Sequence, residues 1–231
     1  MKTTAIIVGA GSSTRMGKTI SKQLIQLNGT ETIVHTMRAF QNADSIDEIV
    51  VVCREEDKGK IKQLTHSNNI TKVIALTSGG NTRQQSVANG VSCVSNDTDY
   101  IAIHDGARPL VTPEDINAVV NNAVKYNSSA LGVFVKDTIK VVDKNGFISS
   151  TPDRSRLIAI YTPQVFKLSL YKSAMEKAYT EEKDYTDDCQ LVESLGEKVY
   201  VTKGSETNIK LTTPQDIIIA ESFLNNRGDQ K

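Results

Sequence analysis

The first apolar run of the chain, Ala5–Val8, opens into Gly9-Ala10-Gly11-Ser12-Ser13-Thr14-Arg15-Met16-Gly17-Lys18, with Lys22 close behind. Small side chains in such a loop let backbone N–H groups approach phosphate oxygens closely. Arg15 adds a planar fork of donors and Lys22 a point charge, a pair suited to a triphosphate. Two glycine-rich motifs are excluded by spacing. A dinucleotide fingerprint starting at Gly9 needs its third glycine where Thr14 stands, and a P-loop ending in Gly17-Lys18-Thr19 needs a glycine where Ser12 stands. Taken alone, the loop also reads as an ordinary strand-to-helix turn.

Composition narrows the partners. The chain of 231 residues carries 27 Lys and Arg against 27 Asp and Glu, for a formal net charge of zero. That balance argues against a nucleic-acid partner, which calls for a basic excess, but leaves small anions open. Hydrophobic residues are 39%, aromatics 5% and tryptophan absent, so the core must be built from Val, Ile, Leu and Ala. Cys53, Cys93 and Cys189 lie far apart, without the spacing of a zinc site or a disulfide scaffold. Cys53 ends an apolar run and reads as a buried strand thiol. The N-terminal apolar run is too short for a signal peptide and no apolar stretch reaches membrane length, so the expected location is the cytoplasm, with no membrane partner expected.

Alternating strands and helices must position these residues. Strands are expected at Ala5–Val8, Ile49–Cys53, Lys72–Leu76, Tyr100–Ile103 and Ala130–Val135. Helices are expected at Thr32–Ala43, at Pro113–Tyr126 behind a Thr112 cap, and at Thr213–Phe223, where Thr213 caps and Pro214 leads. This order implies an α/β, Rossmann-like domain over residues 1–231, its sheet mostly parallel with helices on both faces. Ligands of such sheets sit beyond the carboxyl ends of the strands. The loops Gly9–Lys22, Ser78–Arg83 and His104–Pro109 should therefore gather around one crevice. Lys136–Leu157 breaks the rhythm with an Asn145-Gly146 turn, and residues 137–157 read as a projecting β-arm. The arm is either a plain surface hairpin or a dimer contact that delivers a residue to a neighbouring site. The polar tail Asn225–Lys231 should fray.

Seven further segments, taken in order, carry a resemblance. They are Gly79-Gly80-Asn81-Thr82-Arg83-Gln84-Gln85-Ser86-Val87; His104-Asp105-Gly106-Ala107-Arg108-Pro109; Lys136-Asp137-Thr138-Ile139-Lys140; Pro152-Asp153-Arg154; Thr162-Pro163-Gln164; Tyr185-Thr186-Asp187-Asp188; and Asn208-Ile209-Lys210-Leu211-Thr212. With the first loop and Ser21-Lys22-Gln23, they resemble the sugar-phosphate nucleotidylyltransferases, and among them the 2-C-methyl-D-erythritol 4-phosphate cytidylyltransferase family of the non-mevalonate isoprenoid pathway. The chain departs from the family at four places. Ser13 stands for a glycine, Ser21 for a proline, Ile158 for a tryptophan and Tyr161 for a glutamine, and none of these removes a charged group.

The resemblance implies roles. Arg15, Lys22, Arg154 and Lys210 form the expected catalytic set. Arg15 and Lys22 bind the triphosphate of CTP, and Lys210 approaches the same phosphoryl group. Ala10, Gly11, Ser12, Gly79, Gly80, Arg83 and Ser86 are the expected CTP-binding residues, with Gly79–Ser86 reading the cytosine. Thr138, Arg154, Thr186 and Lys210 are expected around the phosphate of the second substrate, a polyol phosphate. Arg154 would come across a homodimer through the β-arm. Asp105 is the expected Mg²⁺ ligand, hard oxygen suiting that ion, while His104 reads as structural. Asp187-Asp188 also reads as a cluster at a helix N-terminus.

The implied reaction needs no general base. The attacking phosphate, with a second pKa near 6, is already largely dianionic at neutral pH. That fits a sequence with three histidines and no evident dyad. Two other readings stay open: a ribitol 5-phosphate cytidylyltransferase, and a CTP-binding module without catalysis.

Overall fold

The computed structural model describes residues 1–11 and 21–228. In chain order the elements are β1 (Thr3–Val8), β2 (Gln26–Leu27), β3 (Thr30–Glu31), α1 (Thr32–Gln41), β4 (Glu48–Cys53), α2 (Lys58–Ser67), β5 (Val73–Ser78), α3 (Arg83–Val91) and β6 (Tyr100–Asp105). There follow α4 (Pro113–Tyr126), β7 (Ser128–Phe134), β8 (Val141–Val142), β9 (Ile148–Ser150), β10 (Ile158–Lys167), α5 (Leu168–Thr180), α6 (Asp188–Glu193), β11 (Tyr200–Lys203) and α7 (Pro214–Gly228).

Seven strands form one sheet in the order β11-β7-β10-β6-β1-β4-β5. Every pairing is parallel except those of β10, which runs antiparallel to both β6 and β7. The α/β expectation holds, and the central strands β1, β4 and β6 are buried almost throughout because both of their faces are covered. Below one face, Ile7, Val51 and Ala102 pack with Ile33, Phe40, Ile116 and Val120 of α1 and α4. On the other, Ile6, Val52 and Ile103 pack with Val87, Tyr171 and Val192 of α3, α5 and α6.

The sheet topology decides where a crevice forms. From β1 the chain goes to β4 and β5 on one side, then returns to place β6 on the other. In register, Val8 lies opposite Val52 and opposite Asp105, so three strands end level. The loops that follow are then drawn together. Gly9 N–H donates to the Val52 carbonyl at 2.6 Å, and Gly106 N–H to the Val8 carbonyl at 2.8 Å. Divergence of consecutive loops at such a switch point opens a crevice.

Helix caps follow the sequence closely. The Thr112 side chain accepts from Asp115 N–H at the start of α4. At α7 the device differs from the expected Thr213 cap. There the Asp216 carboxylate reaches back to the N–H groups of Thr212 and Thr213, at 2.7 Å each. Leu27, Leu110, Leu211 and Ala220 pack into a small cluster that seats α7 against β2. Leu211 N–H also donates to the Ala107 carbonyl at 2.8 Å. These contacts hold Lys210, one residue earlier, against β6.

The 137–157 segment contains an exposed hairpin, β8 paired with β9. Its turn is wider than a two-residue Asn-Gly loop. Asp143 accepts from the N–H groups of Asn145 and Phe147, and Gly146 sits at φ +88°, where a side chain would be strained. Val142, Phe147 and Ile148 are exposed along it.

Candidate active site

The crevice beyond β1, β5 and β6 encloses about 430 Å³. Its walls bring together Ala10, Gly11, Lys22, Gly80, Arg83, Ser86, Asp105 and Lys210, drawn from both ends and the middle of the chain. Ser12 and Arg15 lie outside the described residues.

The Gly79–Ser86 loop is tightly folded. Gly80 N–H donates to Ser86 Oγ at 3.0 Å, Ser86 Oγ donates to the Thr82 carbonyl at 2.9 Å, and Asn81 N–H donates to Gln85 Oε1 at 2.9 Å. A Cβ on Gly79 would come within 2.3 Å of the Ala10 side chain, and one on Gly80 within 2.5 Å of Gln85. Both glycines therefore allow the loop to close on the first loop and on α3. The Thr82 side chain caps α3 by accepting from Gln85 N–H, which leaves Arg83 as the first helical residue, at the crevice wall.

Asp105 is the electrostatic centre. Lys210 Nζ lies 2.7 Å from Oδ2, Arg83 Nε 3.4 Å from Oδ1 and Arg108 Nε 3.8 Å from Oδ2. Burial opposes ionisation, but Arg83, Lys210 and Arg108 outweigh it and hold the carboxyl well below the usual carboxylate range. The same balance works in reverse at Arg83. Burial disfavours its charge, yet Asp188 and Asp105 keep the guanidinium well above its ordinary value. The Arg108 guanidinium also lies over the Tyr161 ring at 4.5 Å, a cation–π contact, and donates to the Asn208 carbonyl at 2.9 Å. Asn208 in turn donates to the Thr162 carbonyl. Sequence reading assigned no role to Tyr161, Asn208 or Arg108, although each lies in or beside a motif segment.

His104 is structural, as expected. It is fully buried, with Nδ1 3.0 Å from Thr162 Oγ1 and Nε2 3.2 Å from the Arg108 carbonyl. Burial pushes its pKa from 6.5 down to about 3, so it stays neutral wherever an enzyme would operate. Unfolding frees the imidazole to titrate near 6.5, so between about pH 3 and 6.5 the unfolded chain binds more protons than the folded one. The stability this burial supplies is complete above pH 6.5 and drains as pH falls toward 3, by up to about 1.4 kcal/mol per pH unit. The urea midpoint is expected to be clearly lower at pH 5 than at pH 7, with net proton uptake on unfolding. An equal or higher midpoint at pH 5 overturns this assignment.

The family profile described as 2-C-methyl-D-erythritol 4-phosphate cytidylyltransferase matches residues 3–226. The chain belongs to that family. A relative of that name from Caldanaerobacter subterraneus subsp. tengcongensis is 44% identical over 225 residues, which cover 97% of this chain and 99% of the relative. Another from Clostridium novyi is 41% identical over 226 residues, 97% of each chain. The crystal structure of 4-diphosphocytidyl-2C-methyl-D-erythritol synthase from Anaerococcus prevotii superposes with a TM-score of 0.87 at 30% identity, covering 97% of this chain and 96% of that one.

Within this cytidylyltransferase scaffold, three residues expected at the second substrate stand apart from the crevice walls. Arg154 and Thr138 lie on the exposed arm segment, where Arg154 donates to the Lys136 carbonyl. Thr186 precedes α6 and donates to Gln190 Oε1 at 3.2 Å. The neighbouring acidic pair divides its tasks. Asp187 caps α6 through Gln190 N–H, whereas Asp188 is buried against Arg83.

Among the described residues no three His, Cys, Asp or Glu side chains cluster as metal ligands. Asp105 is the one carboxylate among the described residues lining the crevice, and it is ionised. One carboxylate suffices for Mg²⁺, which keeps several waters and binds mainly through substrate phosphates. The donor set therefore fits that ion. Among the described residues no helix is long and apolar enough to cross a membrane.

Proposed function

We infer that this chain transfers the cytidylyl group of CTP to 2-C-methyl-D-erythritol 4-phosphate and releases pyrophosphate. The observation that carries this reading is the crevice itself. Lys22, Arg83 and Lys210 line one cavity around an ionised Asp105, in a chain that matches the family over residues 3–226.

The acceptor's phosphate oxygen forms a new bond to the α-phosphorus of CTP, and the bond from that phosphorus to the β-phosphate bridging oxygen breaks. Both partners are anions, so the barrier is chiefly electrostatic and positional. Lys22, joined by Arg15 on its sequence motif, receives the triphosphate and the charge that grows on the α-phosphoryl oxygens. Lys210 shifts from Asp105 onto the same group as the phosphates arrive. Gly80 and Ser86, held by the hydrogen bonds of their loop, form a narrow wall for cytosine with Arg83 beside it, and Gly79 lets that wall close on Ala10. Asp105 would hold Mg²⁺, which screens the phosphate charge when bound. The attacking phosphate needs no base, consistent with a neutral, buried His104.

Arg154 and Thr138 reach the acceptor across a homodimer in this reading. Support comes from the exposed apolar residues Val142, Phe147 and Ile148 on the arm that carries them.

Pyrophosphate release from CTP with Mg²⁺ and 2-C-methyl-D-erythritol 4-phosphate tests the reading. Release is expected only when both substrates are present. Its absence overturns the reading, and faster turnover of ribitol 5-phosphate redirects it. In the same assay, Arg154→Ala is expected to raise KM for the polyol phosphate about tenfold or more, as loss of a charged hydrogen bond does. KM for CTP should scarcely move. A variant impaired for CTP alone would move Arg154 away from the acceptor.

A further inference from the structure

Behind the crevice lies a buried polar chain that the mechanism above leaves unused. Tyr171 is fully buried in the first turn of α5, and its hydroxyl donates to Asp188 Oδ1 at 2.6 Å. The other oxygen, Asp188 Oδ2, lies 2.7 Å from Arg83 NH1. Arg83 Nε then faces Asp105 at 3.4 Å. Four elements, α5, α6, α3 and β6, thus hand one row of polar groups toward the crevice.

Asp188 is itself firmly placed. Its backbone N–H and that of Cys189 both donate to Gln164 Oε1, at 3.1 Å each, which ties the first turn of α6 to β10. The side chain is only 3% exposed. A carboxylate that deep needs a cation and further donors to remain charged. Arg83 supplies the cation and Tyr171 the donor. The hydroxyl is not needed for packing, since a phenylalanine ring would fill the same volume. Its contribution is angular. Pinning Oδ1 stops the carboxylate rotating, so Oδ2 faces Arg83 in one orientation.

We propose that Asp188 and Tyr171 are positioning residues for Arg83, fixing the guanidinium at the crevice wall so that the CTP pocket exists before the nucleotide arrives. The proposal rests on the reading that Arg83 meets CTP. A guanidinium on a long side chain samples many rotamers in water, and binding then costs the ordering of that side chain. Two carboxylates on opposite edges remove that cost in advance. Neither Asp188 nor Tyr171 touches the substrate in this scheme.

The test compares Tyr171→Phe, Asp188→Asn and Arg83→Lys in full-length protein, by steady-state kinetics, calorimetric titration with CTP, and thermal melting. Tyr171→Phe keeps the ring and the fold. It is expected to raise KM and Kd for CTP about tenfold, the usual effect of losing a hydrogen bond to a charged group. KM for the polyol phosphate should stay unchanged. Asp188→Asn is expected to go further in the same direction. Combining Tyr171→Phe with Arg83→Lys should add little, because both act through one guanidinium. If Arg83→Lys weakens CTP binding while Tyr171→Phe merely lowers the melting temperature, the pair is structural and the proposal is overturned with the site reading intact. If Arg83→Lys leaves CTP binding untouched, the reading of Arg83 fails and takes the proposal with it.

Discussion

Lys22→Ala is expected to lower turnover by about two to three orders of magnitude, the usual cost of removing one preorganised stabiliser of transition-state charge. Lys22 opens a short 3₁₀ turn, Lys22–Leu24, and is half-buried on the crevice wall. Its neighbour Gln23 is buried beneath Gly9, with its side chain 3.0 Å from where a Gly9 Cβ would stand. Gln23 anchors the turn, and alanine at position 22 removes the charge while leaving that anchor in place. The expected signature is a large fall in kcat, a smaller rise in KM for CTP, and an unchanged far-ultraviolet spectrum and melting temperature. Near-wild-type turnover in a well-folded variant would show that the first loop has been assigned the wrong role.

The second large effect is Asp105→Asn. The substitution keeps the shape but turns one acceptor oxygen into an NH₂ donor and removes the negative charge that faces Arg83, Arg108 and Lys210. Arg108 is 11% exposed and Arg83 27%, so neither can turn fully to water. Removing one partner of a buried ion group typically costs about 3–5 kcal/mol, because the remaining charge stays buried. A clear drop in urea midpoint is expected at pH 7. Because the folded pKa is held down, the wild-type contribution is present above the ordinary carboxylate value of 3.8 and is lost as pH falls below it. The difference between variant and wild type should therefore shrink in strong acid. Activity should fall at least a hundredfold, since Lys210 loses its anchor and, on the proposed reading, Mg²⁺ loses its carboxylate. A variant as stable and as active as wild type would refute the central place given to Asp105.

Much of this arrangement is legible in the sequence, for definite reasons. The apolar runs ending at Val8, Cys53 and near Asp105 mark buried parallel strands, and the switch-point rule then gathers their loops. Thr112-Pro113 marks the start of α4 to the residue. Other parts leave no such trace. β10 contains Pro163, which argues against a strand, yet it runs for ten residues between β6 and β7. α5 buries Leu168, Tyr171, Ala174 and Ala178, a helical spacing that marks a core face while hiding the task of the Tyr171 hydroxyl. Asp188 reads as a helix-start carboxylate because sequence spacing says nothing of Arg83, more than a hundred positions earlier. Long-range ion pairs are set by topology, and local pattern does not encode topology residue by residue.

The pairing of Lys210 with Asp105 spans 105 residues. At synthesis rates of about 5–20 residues per second, Asp105 leaves the ribosome roughly 5–20 seconds before Lys210 does. Throughout that interval the nascent sheet can assemble β1, β4, β5 and β6, while the carboxylate at its rim lacks the ammonium that later covers it. The last cation of the site is thus delivered late in translation, seated by Leu211 and α7. Ribosome-bound chains stalled ahead of Lys210 are expected to hold a folded nucleotide cleft with its charge balance still unfinished.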